Sequence, residues 1–366
     1  MRIYLDNNAT TAIHREVLRV LETTLRDVFG NASSIHKEGQ TARQVIENAR
    51  DAVARLVGAA PRDIVFTSGG TESNNAAIFG ALSGGERSHI VTTAIEHPSV
   101  LEAARRFDAT FVPPNRDGMV PAADVIGAIR PETRLVTVML ANNETGVIQP
   151  VEAIGEAARA RGIHFHVDAV QAAGKIAIDV EALHCDTLSL SAHKMHAPKG
   201  IGALYVRRGV SMLSHLVGGA QERRRRAGTE NVPLAAAFGE AARLAMTPMP
   251  PTLRDLFESR LGNDVTVNGA NVPRLPNTSN VTFHGADGEG IVIALDLSGV
   301  AVSTGSACSS GRVEPSPVLL AMGLSADDAK STVRFSLSRF TTEEEVDQVT
   351  HLLKQLLPRC RRPPKS

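Results

Sequence analysis

The sequence predicts an α/β fold, a mostly parallel sheet covered by helices on both faces, with a smaller α/β unit built from the C-terminal third. Three observations carry that expectation. Short apolar runs such as Ile64-Val65-Phe66-Thr67, His89-Ile90-Val91-Thr92-Thr93 and Leu135-Val136-Thr137-Val138-Met139-Leu140 read as buried strands. Helical segments separate them, as parallel neighbours require. The pattern then breaks at Thr247-Pro248-Met249-Pro250-Pro251, where clustered prolines stop a helix, and alternating strands follow.

In chain order, Thr41 to Val57 places Ala42, Val45, Ile46, Ala49, Val53 and Leu56 on one side, a helical period. The strand at Ile64 runs into Ser68-Gly69-Gly70-Thr71-Glu72-Ser73-Asn74-Asn75 and an Ala-rich helix. Gly162-Ile163-His164-Phe165-His166-Val167-Asp168 is an apolar run closed by a carboxylate. Leu190-Ser191-Ala192-His193-Lys194 follows a further apolar stretch and precedes a Pro/Gly turn. Beyond the proline joint, Thr278 to Phe283, Val300 to Thr304 and Val333 to Leu337 read as strands. Thr342 and Glu345 form a capping box for a last helix with Val346, Val349, Leu352, Leu353, Leu356 and Leu357 on its apolar face. The tail from Arg359 to Ser366 is basic and Pro-containing and is expected to fray.

Composition narrows the function classes. The 366 residues are 43% hydrophobic and 21% charged with zero formal net charge, which gives no electrostatic reason to expect direct nucleic-acid binding or an anionic membrane. Aromatic residues are only 4% with no Trp, so base-stacking platforms are not expected. No apolar run reaches membrane-spanning length, and Met1-Arg2-Ile3-Tyr4-Leu5-Asp6 is not a signal peptide. Cys185, Cys308 and Cys360 are too few and too scattered for a disulfide framework or zinc site, and they fit a reducing cytoplasm.

The strand ends hold the residues that could carry chemistry. A lysine and a carboxylate at neighbouring strand ends, here Lys194 and Asp168, are what pyridoxal 5'-phosphate (PLP) requires. The amine condenses with the aldehyde, and the carboxylate keeps the pyridine nitrogen protonated. A surface lysine near an unrelated aspartate is the plain alternative. Gly70 and Thr71 open a helix after a strand, which suits an anion or is simply a turn; Ser191, His193 and Thr229 are further hydroxyl or imidazole donors. Asp168 and Gln171 either face one ligand or cap a local turn. His97 precedes Pro98, which is expected to force an extended turn that exposes the imidazole for ring stacking or proton transfer. Asn143 is a candidate for both cofactor and substrate carboxylate, and Arg334 for that carboxylate, against a polar turn and a solvated strand face. Cys308 lies among small polar residues and glycines, which cannot bury it, and so suits an accessible nucleophile.

Together these motifs closely resemble the cysteine desulfurases of the NifS/IscS type, within the class V aminotransferases of PLP-dependent fold type I. The resemblance runs from Tyr4-Leu5-Asp6-Asn7-Asn8-Ala9-Thr10-Thr11 to Phe335-Ser336-Leu337-Ser338-Arg339-Phe340, with Glu96-His97, Asn142-Asn143-Glu144-Thr145-Gly146, Ser191-Ala192-His193-Lys194, Arg226-Ala227-Gly228-Thr229 and Gly305-Ser306-Ala307-Cys308 in order between them. It implies a large PLP-binding domain over residues 13–249 and a small domain from 1–12 with 250–366 carrying the Cys308 loop. It implies PLP held by Lys194, with Asp168 on the pyridine nitrogen, Gln171 on the phenolic oxygen and His97 stacked on the ring. Gly70, Thr71, Ser191, His193 and Thr229 of a neighbouring subunit would bind the phosphate, in a homodimer. Asn143 and Arg334 would hold the carboxylate of L-cysteine, and Cys308 would carry its sulfur as a persulfide to an acceptor protein, for iron–sulfur clusters or tRNA thiolation. A selenocysteine lyase or aminotransferase of the same fold is the alternative, and a non-catalytic sulfur-relay protein a more distant one. The chain ends soon after Leu357, where many members continue.

Overall fold

In the computed structural model, which describes residues 2–82, 88–304 and 314–361, the apolar runs of the first two-thirds form one seven-stranded sheet. Its strands are β2 (Ile64–Thr67), β3 (His89–Thr93), β4 (Asp108–Val112), β5 (Thr133–Met139), β6 (His164–Asp168), β7 (Thr187–Ser191) and β8 (Gly202–Val206), preceded in the chain by β1 (Ile3–Tyr4). The order across the sheet is β2-β8-β7-β6-β5-β3-β4. The pairings from β7 to β4 are parallel, and β8 runs antiparallel to both β2 and β7. Strands β3, β7 and β8 are buried along their whole length, and β5 and β6 all but at Arg134 and His164, as continuous apolar runs require of a sheet covered on both faces.

The first long helix, Lys37–Leu56, begins earlier than its apolar period because His36 caps it, accepting from the Gly39 N–H. Its buried face packs on Val232–Leu244. A Cβ at Gly239 would fall 2.6 Å from Ala49 Cα, so glycine is what lets these two helices touch. Val53, Ile64, Phe165 and Phe238 belong to one hydrophobic cluster around the large sheet; burying each such side chain contributes roughly 1.5–3 kcal/mol.

A second cluster surrounds a smaller sheet, ordered β12-β10-β9, where β9 is Val265–Val267, β10 is Thr278–Phe283 and β12 is Thr332–Ser336. The alternation around Arg334 holds: Val333, Phe335 and Leu337 enter this core while Arg334 and Ser336 face the other way. Phe335 packs against Phe257 and Phe283. Helix Glu343–Leu356 carries the expected Thr342/Glu345 capping box. The Pro248–Pro251 joint separates helix Val232–Leu244 from Thr252–Ser259.

Two expectations need correction. The strand expected over 300–304 is only β11 (Val300–Ala301), paired in parallel with β1, because Ser303 already turns to a single bridge with Arg334. Of the tail expected to fray, Cys360 and Arg361 are tied down, Cys360 O accepting from Asp287 N (2.8 Å) and Arg361 bridging Ala286, while residues 362–366 lie outside the described residues. Asp6 bridges Ser336, so the N-terminal segment is stitched onto the small sheet and then runs toward the large one. Among the described residues no helix is long and apolar enough to cross a membrane.

Candidate active site

The carboxyl ends of β5, β6 and β7 and the N-terminus of helix Gly70–Leu82 enclose a cavity of about 270 Å³. That is where an open α/β sheet places ligands. Gly70, Thr71, His97, Asn143, Asp168, Gln171, Ser191, His193 and Lys194, nominated separately from the sequence, all line it.

Lys194 ends a 3-10 turn that follows β7. Its Nζ donates to the carbonyl oxygens of Asn8 and Ala9 (2.5 and 2.8 Å), with no carboxylate of the described residues within bonding distance. Burial, and after it Arg334, lower its pKa to about 8 against the opposing pull of Asp6 and Asp168. A lysine tuned this way has an appreciable neutral, nucleophilic fraction near pH 7.

Asp168 closes β6, and its two oxygens are aimed by different donors. Oδ1 accepts from Val170 N (2.9 Å) and Oδ2 from Asn74 Nδ2 (2.7 Å). The second amide hydrogen of Asn74 goes to Ser99 Oγ (2.9 Å), and its Oδ1 faces His166 Nε2 (3.1 Å). Because Asn74 Oδ1 can only accept, Nε2 of His166 carries the proton and Nδ1 accepts from Thr187 Oγ1 (2.9 Å). Burial, reinforced by His164, pushes His166 down to about 3, so it stays neutral and its tautomer is fixed. Neither Asn74, Ser99 nor His166 was singled out from sequence. Signals existed: His166 shares a strand face with Asp168, and Asn74 lies one turn after Gly70.

His97 is exposed to the cavity as expected, but the local structure that exposes it differs. β3 ends at Thr93, and Pro98 is the first residue of helix Pro98–Ala104 rather than part of an extended turn. Proline suits that position because its missing N–H would be unpaired there anyway. His97 is the N-cap, with Nδ1 accepting from Ser99 N (3.1 Å), which leaves its proton on Nε2. Desolvation lowers its proton affinity, Asp168 opposes this and Lys194 reinforces it.

At the other end of the cavity, a Cβ on Gly70 would fall 2.8 Å from Val170 Cγ2, so glycine keeps this helix start open. Thr71, Ser191 and His193 stand around it. Burial, with Lys194, Lys199 and Lys175, holds His193 down at about 4, leaving a neutral imidazole. Gln171 does not cap Asp168: its Nε2 donates to Asn8 O (2.9 Å). An amine, an aimed carboxylate, hydroxyl donors and a helix N-terminus around one cavity fit the aldehyde, ring nitrogen and phosphate of PLP.

Three nominated residues are not in this wall. Arg334 is almost fully buried, with Nη2 on Asp6 Oδ1 (2.7 Å) and Nη1 on Asn143 O (3.0 Å), so it reaches the cavity only through Asn143. Its Nε has no partner among the described residues. Thr229 is exposed and lines a separate cavity of about 250 Å³ with Ser68 and Arg226, whose guanidinium pairs with Glu72 (2.8 Å). Cys308 lies outside the described residues. Of the other cysteines, Cys185 is a buried thiol whose pKa burial raises, and Cys360 is partly buried. Among the described residues no cluster of His, Cys, Asp or Glu is arranged to hold a metal.

Residues 3–349 match the family model described as Aminotransferase class-V. The chain is similar to the cysteine desulfurase of Trichormus azollae, 45% identical with 98% of this chain and 94% of that protein covered. Among solved structures it is similar to a NifS-like protein, with a TM-score of 0.90 at 35% identity, covering 98% of this chain and 99% of the other. It is also similar to a structure described as SspA in complex with cysteine, with a TM-score of 0.84 at 37% identity, covering 93% and 100%.

Proposed function

The chain belongs to the aminotransferase class-V family, and we propose that it is a PLP-dependent cysteine desulfurase that releases L-alanine from L-cysteine. The single observation that carries this reading is the desolvated Lys194 amine facing the same cavity as the doubly aimed Asp168 carboxylate.

When bound, PLP supplies an electron sink that makes the substrate's α C–H acidic and its β C–S bond labile. Lys194 would hold the cofactor and, once free, carry the α proton. Asp168, aimed by Asn74 and Val170, would keep a proton on the ring nitrogen; Gln171 would donate to the phenolic oxygen and His97 would cover a ring face. Gly70, Thr71, Ser191 and His193 would bind the phosphate, with Thr229 of a second subunit in a homodimer. Asn143 and Arg334 would hold the substrate carboxylate, Arg334 only after its guanidinium leaves Asp6 Oδ1 and Asn143 O. Sulfur balance is closed by Cys308: the substrate's C–S bond breaks, an S–S bond forms at Cys308, and a proton completes the methyl group of alanine. An acceptor protein would take the persulfide sulfur, for iron–sulfur clusters or tRNA thiolation, in the cytoplasm.

The test is alanine and sulfide release from L-cysteine by PLP-loaded protein with a thiol reductant, beside Cys308→Ala. Equal amounts of alanine and sulfide from the wild type, lost in the variant, are expected. Absence of alanine from folded, PLP-loaded wild type would sink the L-cysteine assignment.

A further inference from the structure

The chain buries a second lysine that the proposed reaction does not use. Lys175 is 4% exposed. It is not part of the cofactor cavity wall, yet its Nζ meets three oxygens: Gln171 O (2.8 Å), Gln171 Oε1 (2.9 Å) and Asn8 Oδ1 (3.3 Å). All three acceptors are neutral. Burial, then Lys194, then Arg334 push its proton affinity well down. A buried amine without a carboxylate is expensive to keep, and packing alone would be better served by an apolar side chain of the same length.

What the amine does is settle a side-chain amide. Gln171 Nε2 faces Asn8 O, which can only accept, while Oε1 faces Lys175, whose N–H groups donate. Both ends therefore select the same orientation, with the NH2 group on the side of Asn8 and Lys194. Only one of its two hydrogens is taken up by Asn8 O. Asn8 is held in turn through Nδ2 to Thr278 Oγ1 (2.9 Å) and Asn143 O (3.1 Å), and its carbonyl also receives Lys194.

We propose that Lys175 is a positioning residue of this site: through Gln171 Oε1 and Asn8 Oδ1 it locks the Gln171 amide with a free N–H toward the cavity and steadies the Asn8 segment on which Lys194 rests. The inference rests on the PLP reading above and adds the residue that fixes Gln171 for the phenolic oxygen. Lys175 acts through its neighbours and touches neither cofactor nor substrate.

The experiment uses the full chain as wild type, Lys175→Met, Lys175→Gln, Gln171→Leu and the Lys175→Met/Gln171→Leu double variant. PLP affinity is measured by titrating each apoprotein, and the visible absorbance of the bound cofactor is followed against pH. Lys175→Met should weaken PLP binding about tenfold, the scale of one buried acceptor left unpaired, and shift the pH midpoint of the absorbance. Lys175→Gln keeps an N–H donor and should recover part of both. In the Gln171→Leu background, Lys175→Met should add little, because the two act as one unit. Additive losses in the double variant would overturn the inference, as would wild-type affinity and midpoint in Lys175→Met. If Lys175→Met does not fold, Lys175→Gln alone decides: a midpoint unchanged from wild type overturns the inference. Wild type that binds PLP alongside an unaffected Lys175→Met defeats only this inference; wild type that binds no PLP defeats both it and the PLP reading.

Discussion

Charge is buried in two regions of this molecule, and in opposite ways. Under the edge of the large sheet, Arg50 and Glu222 form a two-pronged pair (2.6 and 3.0 Å), both nearly inaccessible. Glu222 also accepts from Phe66 N (3.1 Å) and Arg50 donates to Ile64 O (2.8 Å), while the guanidinium lies 4.9 Å from the Phe66 ring centroid. The backbone there is strained, with φ of 45°, 56° and 65° at Glu222, Arg223 and Arg224, a left-handed run that only an over-determined contact sustains. Around the cavity the reverse holds. Lys194 and Lys175 contact neutral oxygens. Glu96, beside His97, accepts from Thr93 Oγ1 (2.6 Å) and Met139 N (2.9 Å) and leaves Oε2 without a partner among the described residues. Matched charges hold conformation; unmatched ones have displaced proton affinities, which is what catalysis uses.

That contrast can be broken from either side. Lys194→Ala should abolish alanine release, by at least about 10³-fold, while thermal unfolding stays close to wild type, because the amine is not a structural ion. Substantial loss of stability in that variant would blur the distinction. Glu222→Ala leaves the Arg50 guanidinium buried and unpaired and should destabilise by about 3–5 kcal/mol in denaturant unfolding. Glu222 is absent from the cofactor cavity wall, so the residual folded protein should keep its turnover per PLP bound.

Glu96 gives the smallest and most diagnostic effect. Burial raises its carboxyl from 4.5 to about 8, against the pull of Thr93 and the Met139 N–H. The folded state therefore holds this proton more tightly than the unfolded chain. Its contribution is fully present below about 4.5, declines as pH rises, and is gone once pH passes about 8. Wild type should lose up to about 1.4 kcal/mol per pH unit relative to Glu96→Gln between pH 6 and 7, read from paired unfolding curves. Parallel curves would show Glu96 ionised throughout, and the contrast between the two regions would narrow to the lysines.

Much of the cavity was legible because its residues sit where local pattern is strongest, at the ends of apolar strands and the first turn of a helix. Lys194, Asp168 and Gly70 announce themselves by position. What supports them is not local. Asn74 is a mid-helix polar residue until β6 is laid across it, and His166 reads as one more residue of an apolar strand. Lys175 looks like a turn lysine until Asn8 arrives from 167 positions away. The antiparallel course of β8 was equally hidden, since strand periodicity is the same in both directions. His97 was misread because a residue before proline is extended both in a turn and at an N-cap.

The seat of Lys194 is made by residues near the start of the chain, yet those residues are fastened by its end: Ile3 pairs with Val300, and Asp6 and Asn7 with Ser336. During synthesis the Asn8 carbonyl is among the first groups made, and its anchors are among the last to leave the ribosome. The large sheet can assemble from neighbouring segments well before then. Closure over a separation of some 330 residues comes last and is entropically slow. The chain thus completes its fold before its chemistry, and a nascent or truncated molecule lacking β12 would hold Asn8 under Lys194 from the large-sheet side, through Asn143, Gln171 and Lys175, without the Ser336 anchors.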